Sequence, residues 1–340
     1  MRAVVVGAGL MGRWHAAAAR HAGATVTAVV DRDTDRAASL ADRHVGASVH
    51  ADLSKVPPAR GNTVVHICTG LESHVPLALE ALDAGYHVLV EKPAAPDSDA
   101  LDRVLQAAAD RSLLVCPVHQ FLFQRGLLQI AANLQSLGAL RHLELEIAST
   151  GAEGVGMDRD EVALEILPHG LALAARFCGT DIGNASWGIQ RSADGELDLG
   201  ATVGQTRIGI RISMRGRPPA NRLRLVADAG TVEADLFNGY AVWDRTGATR
   251  SMKLLRPLRS ALVLGAVATA NLVARVVTSE TAYPGLRELV RRFYLAAAGK
   301  GDVPIGPEES RAVTAAWSKI QHSLVTRTSA TLSAEASHSR

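Results

Sequence analysis

Two short segments of this chain carry residue types whose spacing could do chemistry. In Val5-Val6-Gly7-Ala8-Gly9-Leu10-Met11-Gly12, the first glycine permits a tight turn. The second leaves room for a ligand where a Cβ would stand, and the third lets a helix close onto the strand before it. The N–H groups at the helix start, around Leu10 and Met11, then face an anion. Asp31, about 20 residues on, ends a second apolar run and is placed to accept hydrogen bonds from a ribose. Strand, glycines, helix and acid in this order describe a dinucleotide site far better than the glycine spacing alone.

The second segment, Tyr86-His87-Val88-Leu89-Val90-Glu91-Lys92-Pro93, ends an apolar strand in a charged pair. Pro93 lacks an N–H and biases Lys92 away from helical geometry, which stops the strand there. A lysine at that edge can donate a hydrogen bond to a reacting oxygen and stabilise alkoxide charge, with Glu91 to orient it. Between the two segments, Val64 to Cys68 is a buried strand leading into the polar loop Thr69-Gly70-Leu71-Glu72-Ser73-His74. Ligands bind beyond the C-terminal ends of parallel strands, so Thr69, Gly70 and His74 belong near the same nucleotide.

Positioning these groups takes alternating strands and helices. Strands are legible at 3–6, 25–30, 64–68, 87–90 and 113–116, with helical stretches between them. Continuous apolar strands separated by helices predict an α/β Rossmann domain, a doubly wound parallel sheet covered on both faces. After about Gln124 the pattern changes. Leu143, Leu145 and Ile147 alternate with His142, Glu144 and Glu146, and further alternating strands follow from 185 to 243 with little helix between them. That predicts an α+β domain with a large, mainly antiparallel open sheet. Helices are expected at about 260–279, 284–298 and 307–322. The domain reading is 1–122 for nucleotide binding and 123–323 for substrate binding and oligomer contacts. A flexible tail covers 324–340, and the last helix can pack back on the first domain.

The bulk numbers agree with a globular protein. The 340 residues are 47% apolar and 21% charged, with a net charge of +2, so nothing points to nucleic acid as a partner. Cys68, Cys116 and Cys178 are scattered, form no metal-ligand spacing and read as buried thiols in a reducing cytoplasm. The first apolar run is the nucleotide strand itself, so no leader is expected. The apolar stretch 261–277 is interrupted by Asn271 and Arg275 and preceded by Arg259, which predicts a soluble helix on the second domain or a neighbouring subunit rather than a membrane segment.

With these motifs in hand the chain resembles the Gfo/Idh/MocA family, the glucose–fructose oxidoreductase and inositol dehydrogenase group. Gly7-x-Gly9-x-x-Gly12-x-x-His15, Asp31, the Thr69–His74 loop, Glu91-Lys92-Pro93 and Tyr283-Pro284-Gly285-Leu286 match it in order. The resemblance implies a Rossmann domain, an open sheet that makes a homodimer or homotetramer, and NAD(P)-dependent chemistry on a sugar, cyclitol or sugar nucleotide. It also points to Glu165-Ile166-Leu167-Pro168-His169, where family members carry an Asp, three residues and a His. His169 would then be the general acid/base, since imidazole titrates near neutral pH. Glu165, on the same helix face, replaces the usual Asp. Pro168 is expected to break or kink that helix.

The departures mark a branch with its own substrate. Gly70 stands where a proline is usual, and Pro117-Val118-His119-Gln120-Phe121 replaces an arginine-bearing segment. His119 and Gln120 are expected to read substrate hydroxyls. Arg207, Arg211 and Arg215 on one strand face could bind sugar-nucleotide phosphates, but read better as a charged row paired with Glu144 and Glu146.

The expected function is an NAD(P)-dependent oxidoreductase moving hydride between nicotinamide and a secondary alcohol or ketone. His169 exchanges the proton and Lys92 serves the oxygen. The rival readings are an NAD-recycling lyase or epimerase and a non-catalytic nucleotide-sensing regulator. Asp31 favours NAD, and Arg32 keeps NADP possible.

Overall fold

The computed structural model describes residues 1–57, 62–149, 158–245, 250–280 and 282–338. The chain divides into two compact units. One comprises Met1–Phe123 with Gly285–Thr314, the other Gln124–Pro284 with Ala315–Arg340.

The first unit is built on six parallel strands, β1 (Arg2–Val6), β2 (Thr25–Val30), β3 (Ser48–His50), β4 (Thr63–Ile67), β5 (His87–Val90) and β6 (Val115–Pro117). Their spatial order is β3-β2-β1-β4-β5-β6, the dinucleotide-binding order. Helices α1 (Leu10–His21), α2 (Thr34–Ala41), α3 (Leu71–Asp83) and α4 (Ser98–Asp110) make the crossovers. The strands form because Val and Ile runs bury on both faces: Val4, Val5, Val64, Val65, Ile67, Val88 and Leu89 are all buried. Asp33 and Asp97 cap α2 and α4 by accepting from the N–H groups of Arg36 and Ala100. The strand order reverses between β1 and β4, and their C-terminal ends open the crevice in which such folds bind ligands. The edge strand β3 is not read from sequence, because three residues, Ser48-Val49-His50, carry no periodicity. From the later chain, α8 (Leu286–Ala297) joins this unit and packs on α1.

The second unit is a seven-stranded sheet in the order β13-β12-β11-β7-β10-β9-β8. The strands are β7 (Leu140–Ala148), β8 (Gly188–Ala193), β9 (Glu196–Val203), β10 (Thr206–Ser213), β11 (Ala220–Ala227), β12 (Gly230–Asp235) and β13 (Tyr240–Asp244). All pairings are antiparallel except the central β7–β10 pair. One face carries Leu143, Leu145, Ile208, Ile210, Leu223 and Leu225, all buried, and receives α6 (Arg159–Cys178). Gly170 makes that approach possible, because a Cβ there would stand 2.6 Å from Leu145 Cδ2. Helix α5 (Arg125–Asn133) packs on β13, and α7 (Arg250–Val277) lies along the same strand. Helix α9 (Pro307–His338) contains the boundary between the units and continues through the stretch expected as a tail, whose side chains from 327 onward lie outside the described residues.

Candidate functional site

The glycine loop after β1 has the expected geometry. Gly7 has φ +94° and donates its N–H to Val30 O at 2.8 Å. A Cβ on Gly7 would lie 2.5 Å from Cys68 O, and one on Gly12 would lie 1.9 Å from Gly7 O. Turn and helix therefore close on each other only without side chains. Gly9 differs: it caps α1, and a Cβ there would meet nothing within 4 Å. That open space lies at the helix N-terminus, beside exposed Leu10 and half-buried Met11, where a pyrophosphate fits. Asp31 Oδ2 accepts the Ala8 N–H at 2.7 Å and Oδ1 accepts the Asp33 N–H at 3.0 Å. The carboxylate thus sits on the glycine loop itself, and each oxygen keeps a further lone pair for a ribose hydroxyl. Arg32 beside it is exposed.

Behind this loop runs a buried polar chain that sequence reasoning caught only at one end. His15 Nε2 lies 3.0 Å from Glu91 Oε1, and His15 Nδ1 lies 2.9 Å from His66 Nδ1. His66 Nε2 in turn lies 2.7 Å from the Tyr294 hydroxyl. The carboxylate can only accept, so His15 Nε2–H donates to Glu91, and each imidazole bridges two partners in the series Tyr294–His66–His15–Glu91. Burial, with the neighbouring His15 adding to it, holds His66 well below the usual imidazole range. Burial would push Glu91 up, but the His15 hydrogen bond and the charges of His15 and Lys92 outweigh it and keep the carboxyl below its ordinary value. Burial also pushes the Tyr294 hydroxyl up, so it stays a donor. The signal for His66 was a lone imidazole inside the apolar run Val64-Val65-His66-Ile67; Tyr294, in α8, gave none.

Glu91 Oε2 also accepts the Lys92 N–H at 3.2 Å, so this chain ends on the backbone of Lys92, just beyond β5. His74 holds the other side. Its Nδ1 lies 2.7 Å from Pro93 O and its Nε2 lies 3.0 Å from Thr69 O. The ring is buried and both its nitrogens are committed within the protein, so it ties the Thr69–Gly70 loop to the turn after Lys92. Ser73 Oγ–H is within reach of both Thr69 Oγ1 and Gly70 O, each at 2.7 Å. His119 and Gln120 follow β6 at the same edge of the sheet and are buried, with the Gln120 carbonyl oxygen making no hydrogen bond among the described residues. Cys68, Cys116 and Cys178 form no disulfide among the described residues. Burial pushes Cys68 up, Glu91 adding to it, and burial pushes Cys178 up to about 12, so neither is a nucleophile.

In the second unit, His169 is buried and Glu165, one turn earlier on α6, is exposed. Pro168 does not break this helix, contrary to expectation: α6 runs unbroken from Arg159 to Cys178. A proline removes the N–H that would bond the carbonyl four residues back, which is Leu164 O. Trp317 supplies the missing donor, its indole N–H reaching Leu164 O at 2.9 Å. The orphaned carbonyl is satisfied, and the helix carries His169 past the proline. The opposite face of the sheet is a cavity of about 1110 Å³ lined by Glu144, Glu146, Arg207, Arg211, Arg222 and Arg224 among others. Arg224 pairs with Glu144 and Glu233, each at 3.3 Å, and Arg211 with Asp198 at 3.3 Å. The face is charged as expected but its pairs differ from the expected ones: Glu144 is met by Arg224, Arg211 by Asp198, and Arg215, beyond the end of β10, by Asp194.

The strand order, the glycine loop and the acid at the ribose position define a dinucleotide-binding Rossmann fold. Residues 1–119, about a third of the chain, match the Gfo/Idh/MocA family model, described as "Oxidoreductase family, NAD-binding Rossmann fold". An inositol 2-dehydrogenase of Saccharopolyspora erythraea is 42% identical over 34% of this chain and 35% of its own length. The match thus spans about a third of that relative. A UDP-N-acetylglucosamine 3-dehydrogenase of Acidithiobacillus ferrooxidans is 28% identical over 70% of this chain and 75% of its own. The whole fold resembles the WlbA dehydrogenase from Bordetella pertussis, solved with NADH and UDP-GlcNAcA. That likeness has a TM-score of 0.74 at 15% identity, over 95% of this chain and 96% of that one.

Proposed function

We propose that this protein is an NAD-dependent oxidoreductase acting on a secondary alcohol or ketone of a sugar, cyclitol or sugar nucleotide. The observation that carries the reading is Lys92, set at the C-terminal edge of the parallel sheet by Glu91, whose carboxylate is itself fixed by His15 on the nucleotide helix. The names of the inositol and UDP-N-acetylglucosamine dehydrogenases it resembles support the substrate class.

The nicotinamide, when bound, supplies the hydride exchange. The chain does the rest. The α1 N-terminus and Gly9 hold the pyrophosphate, and Asp31 accepts from the ribose and repels a 2′-phosphate. Lys92 donates to the substrate oxygen and lowers the energy of alkoxide charge. His169 takes or returns the hydroxyl proton, with Glu165 at the same helix face to orient it or the substrate. His119 and Gln120 select hydroxyl pattern at the sheet edge.

The test is NADH formation with NAD against myo-inositol, UDP-N-acetylglucosamine and its uronic acid, the first as a cyclitol and the others as sugar nucleotides. On the substrate that turns over, His169→Ala and Lys92→Ala should each lower kcat by roughly 10²–10⁴ with NADH affinity unchanged. Product formation without net NADH would instead indicate the cofactor-recycling reaction. Full turnover by His169→Ala would move the acid/base role to Glu165 or His119.

A further inference from the structure

Helix α7 is inverted. Its polar side chains turn toward the protein: Asn271 Nδ2 donates to Asn238 O at 2.9 Å, Arg275 Nη1 to Asn238 Oδ1 at 3.0 Å, and Arg256 Nε to Asp244 Oδ2 at 2.8 Å. Val263, Val267 and Ala274 face the same way and are partly buried. The outward face holds Leu258, Leu262, Leu272 and Val276, which are 67%, 74%, 62% and 70% exposed. Thus Asn271 and Arg275, which interrupt the apolar run in sequence, do not interrupt it on the outer surface. An apolar face of this extent marks an interaction surface. By length and composition alone Leu254–Val277 could cross a bilayer. One side of it, however, is committed to β13 and to the turn at Asn238, so it cannot span without leaving the sheet.

We infer that α7 docks this protein on an anionic membrane surface, lying in the plane of the interface with its Leu258–Leu262–Leu272–Val276 face in the acyl boundary. Charge decides between lipid and a second copy of the chain. Residues 250–279 include no acid, and beyond Arg256 and Arg275, which the protein itself holds, they carry Arg250, Lys253 and Arg259 within ten residues at one end. Anionic headgroups complement such a segment, whereas a second α7 offers no carboxylate to meet it. At 1.5 Å per residue the 24-residue apolar stretch is about 36 Å long, enough for an in-plane anchor. This sets aside the sequence expectation of no membrane partner and is independent of the proposed reaction.

The test is flotation of the full-length protein with phosphatidylcholine vesicles, with and without phosphatidylglycerol. Phosphatidylglycerol should raise the bound fraction at least tenfold, since each basic residue near an anionic surface is worth about a fivefold gain, and salt should reverse it. The pair Leu258→Glu and Leu262→Glu should lower binding at least about tenfold while circular dichroism and NADH affinity stay unchanged. Val45→Glu, at a fully exposed apolar residue of the other unit, should change nothing. Three results overturn the inference: no flotation with either lipid, flotation indifferent to the glutamate pair, or lipid-free self-association that the pair abolishes in a protein that never floats. If the glutamate pair unfolds the chain, Leu258→Ser with Leu262→Ser replaces it under the same criteria.

Discussion

Alanine at Gly9 and alanine at Gly12 should have opposite consequences, although the glycines stand three residues apart in one motif. A Cβ on Gly12 would lie 1.9 Å from Gly7 O, well over 1 Å inside ordinary contact. The obstructing atom is backbone in a turn that is itself packed on Cys68 O, so it cannot swing aside. Strand and helix must separate, and overpacking of this kind costs about 1–3 kcal/mol or more. Gly9 has φ −71°, which any L-residue adopts, and open space where its Cβ would go. Gly9→Ala should therefore leave stability within about 0.5 kcal/mol of wild type. That space is, however, where a pyrophosphate must approach, so NADH affinity should fall at least tenfold, about 1.4 kcal/mol. Denaturant midpoints followed by circular dichroism, beside calorimetric titration with NADH, separate the two effects. Wild-type NADH binding by Gly9→Ala would refute the placement of the nucleotide. Wild-type stability of Gly12→Ala would refute the packing argument.

Trp317→Phe should cost about 1 kcal/mol by leaving the part-buried Leu164 O without its donor, and much less in a Pro168→Ala background, where the helix supplies its own N–H. Equal losses in both backgrounds by urea unfolding would show that the indole does not stand in for the missing amide. Wild-type protein should bind NAD(H) at least tenfold more tightly than NADP(H), about 1.4 kcal/mol, and Asp31→Ser should narrow the ratio; calorimetry showing equal or tighter NADP(H) binding by the wild type rejects the role of Asp31. Stability should fall as pH drops below about 6.5, because unfolded His66 takes up a proton there while buried His66 refuses it. The unfolded state then binds more protons, and the loss amounts to as much as about 1.4 kcal/mol per pH unit until the depressed folded pKa is reached. Urea midpoints at pH 7.5 and 5.5 measure it, and His66→Gln should flatten the slope; an unchanged slope removes His66 as its source.

The chemistry-bearing motifs were legible because each rests on local rules. Gly7, Gly9 and Gly12 are dictated by a turn and two close approaches, Asp31 by the length of one crossover, and Lys92 by the strand that ends at Pro93. Period-two alternation gave the second sheet and its charged face, since side chains on a strand have only two directions to point. What the sequence could not show depended on partners far apart in the chain. His66 and Tyr294 are 228 positions apart and become hydrogen-bonded only when α8 packs back against the first unit. Pro168 reads locally as a helix breaker, and only the tertiary fold brings Trp317, 153 positions beyond Leu164, to the carbonyl that the proline leaves open. Asn271 and Arg275 read as interruptions of an apolar helix until the sheet shows which way they face. Local sequence determines what a segment can form, while packing determines which of its faces meets protein and which is left for something else.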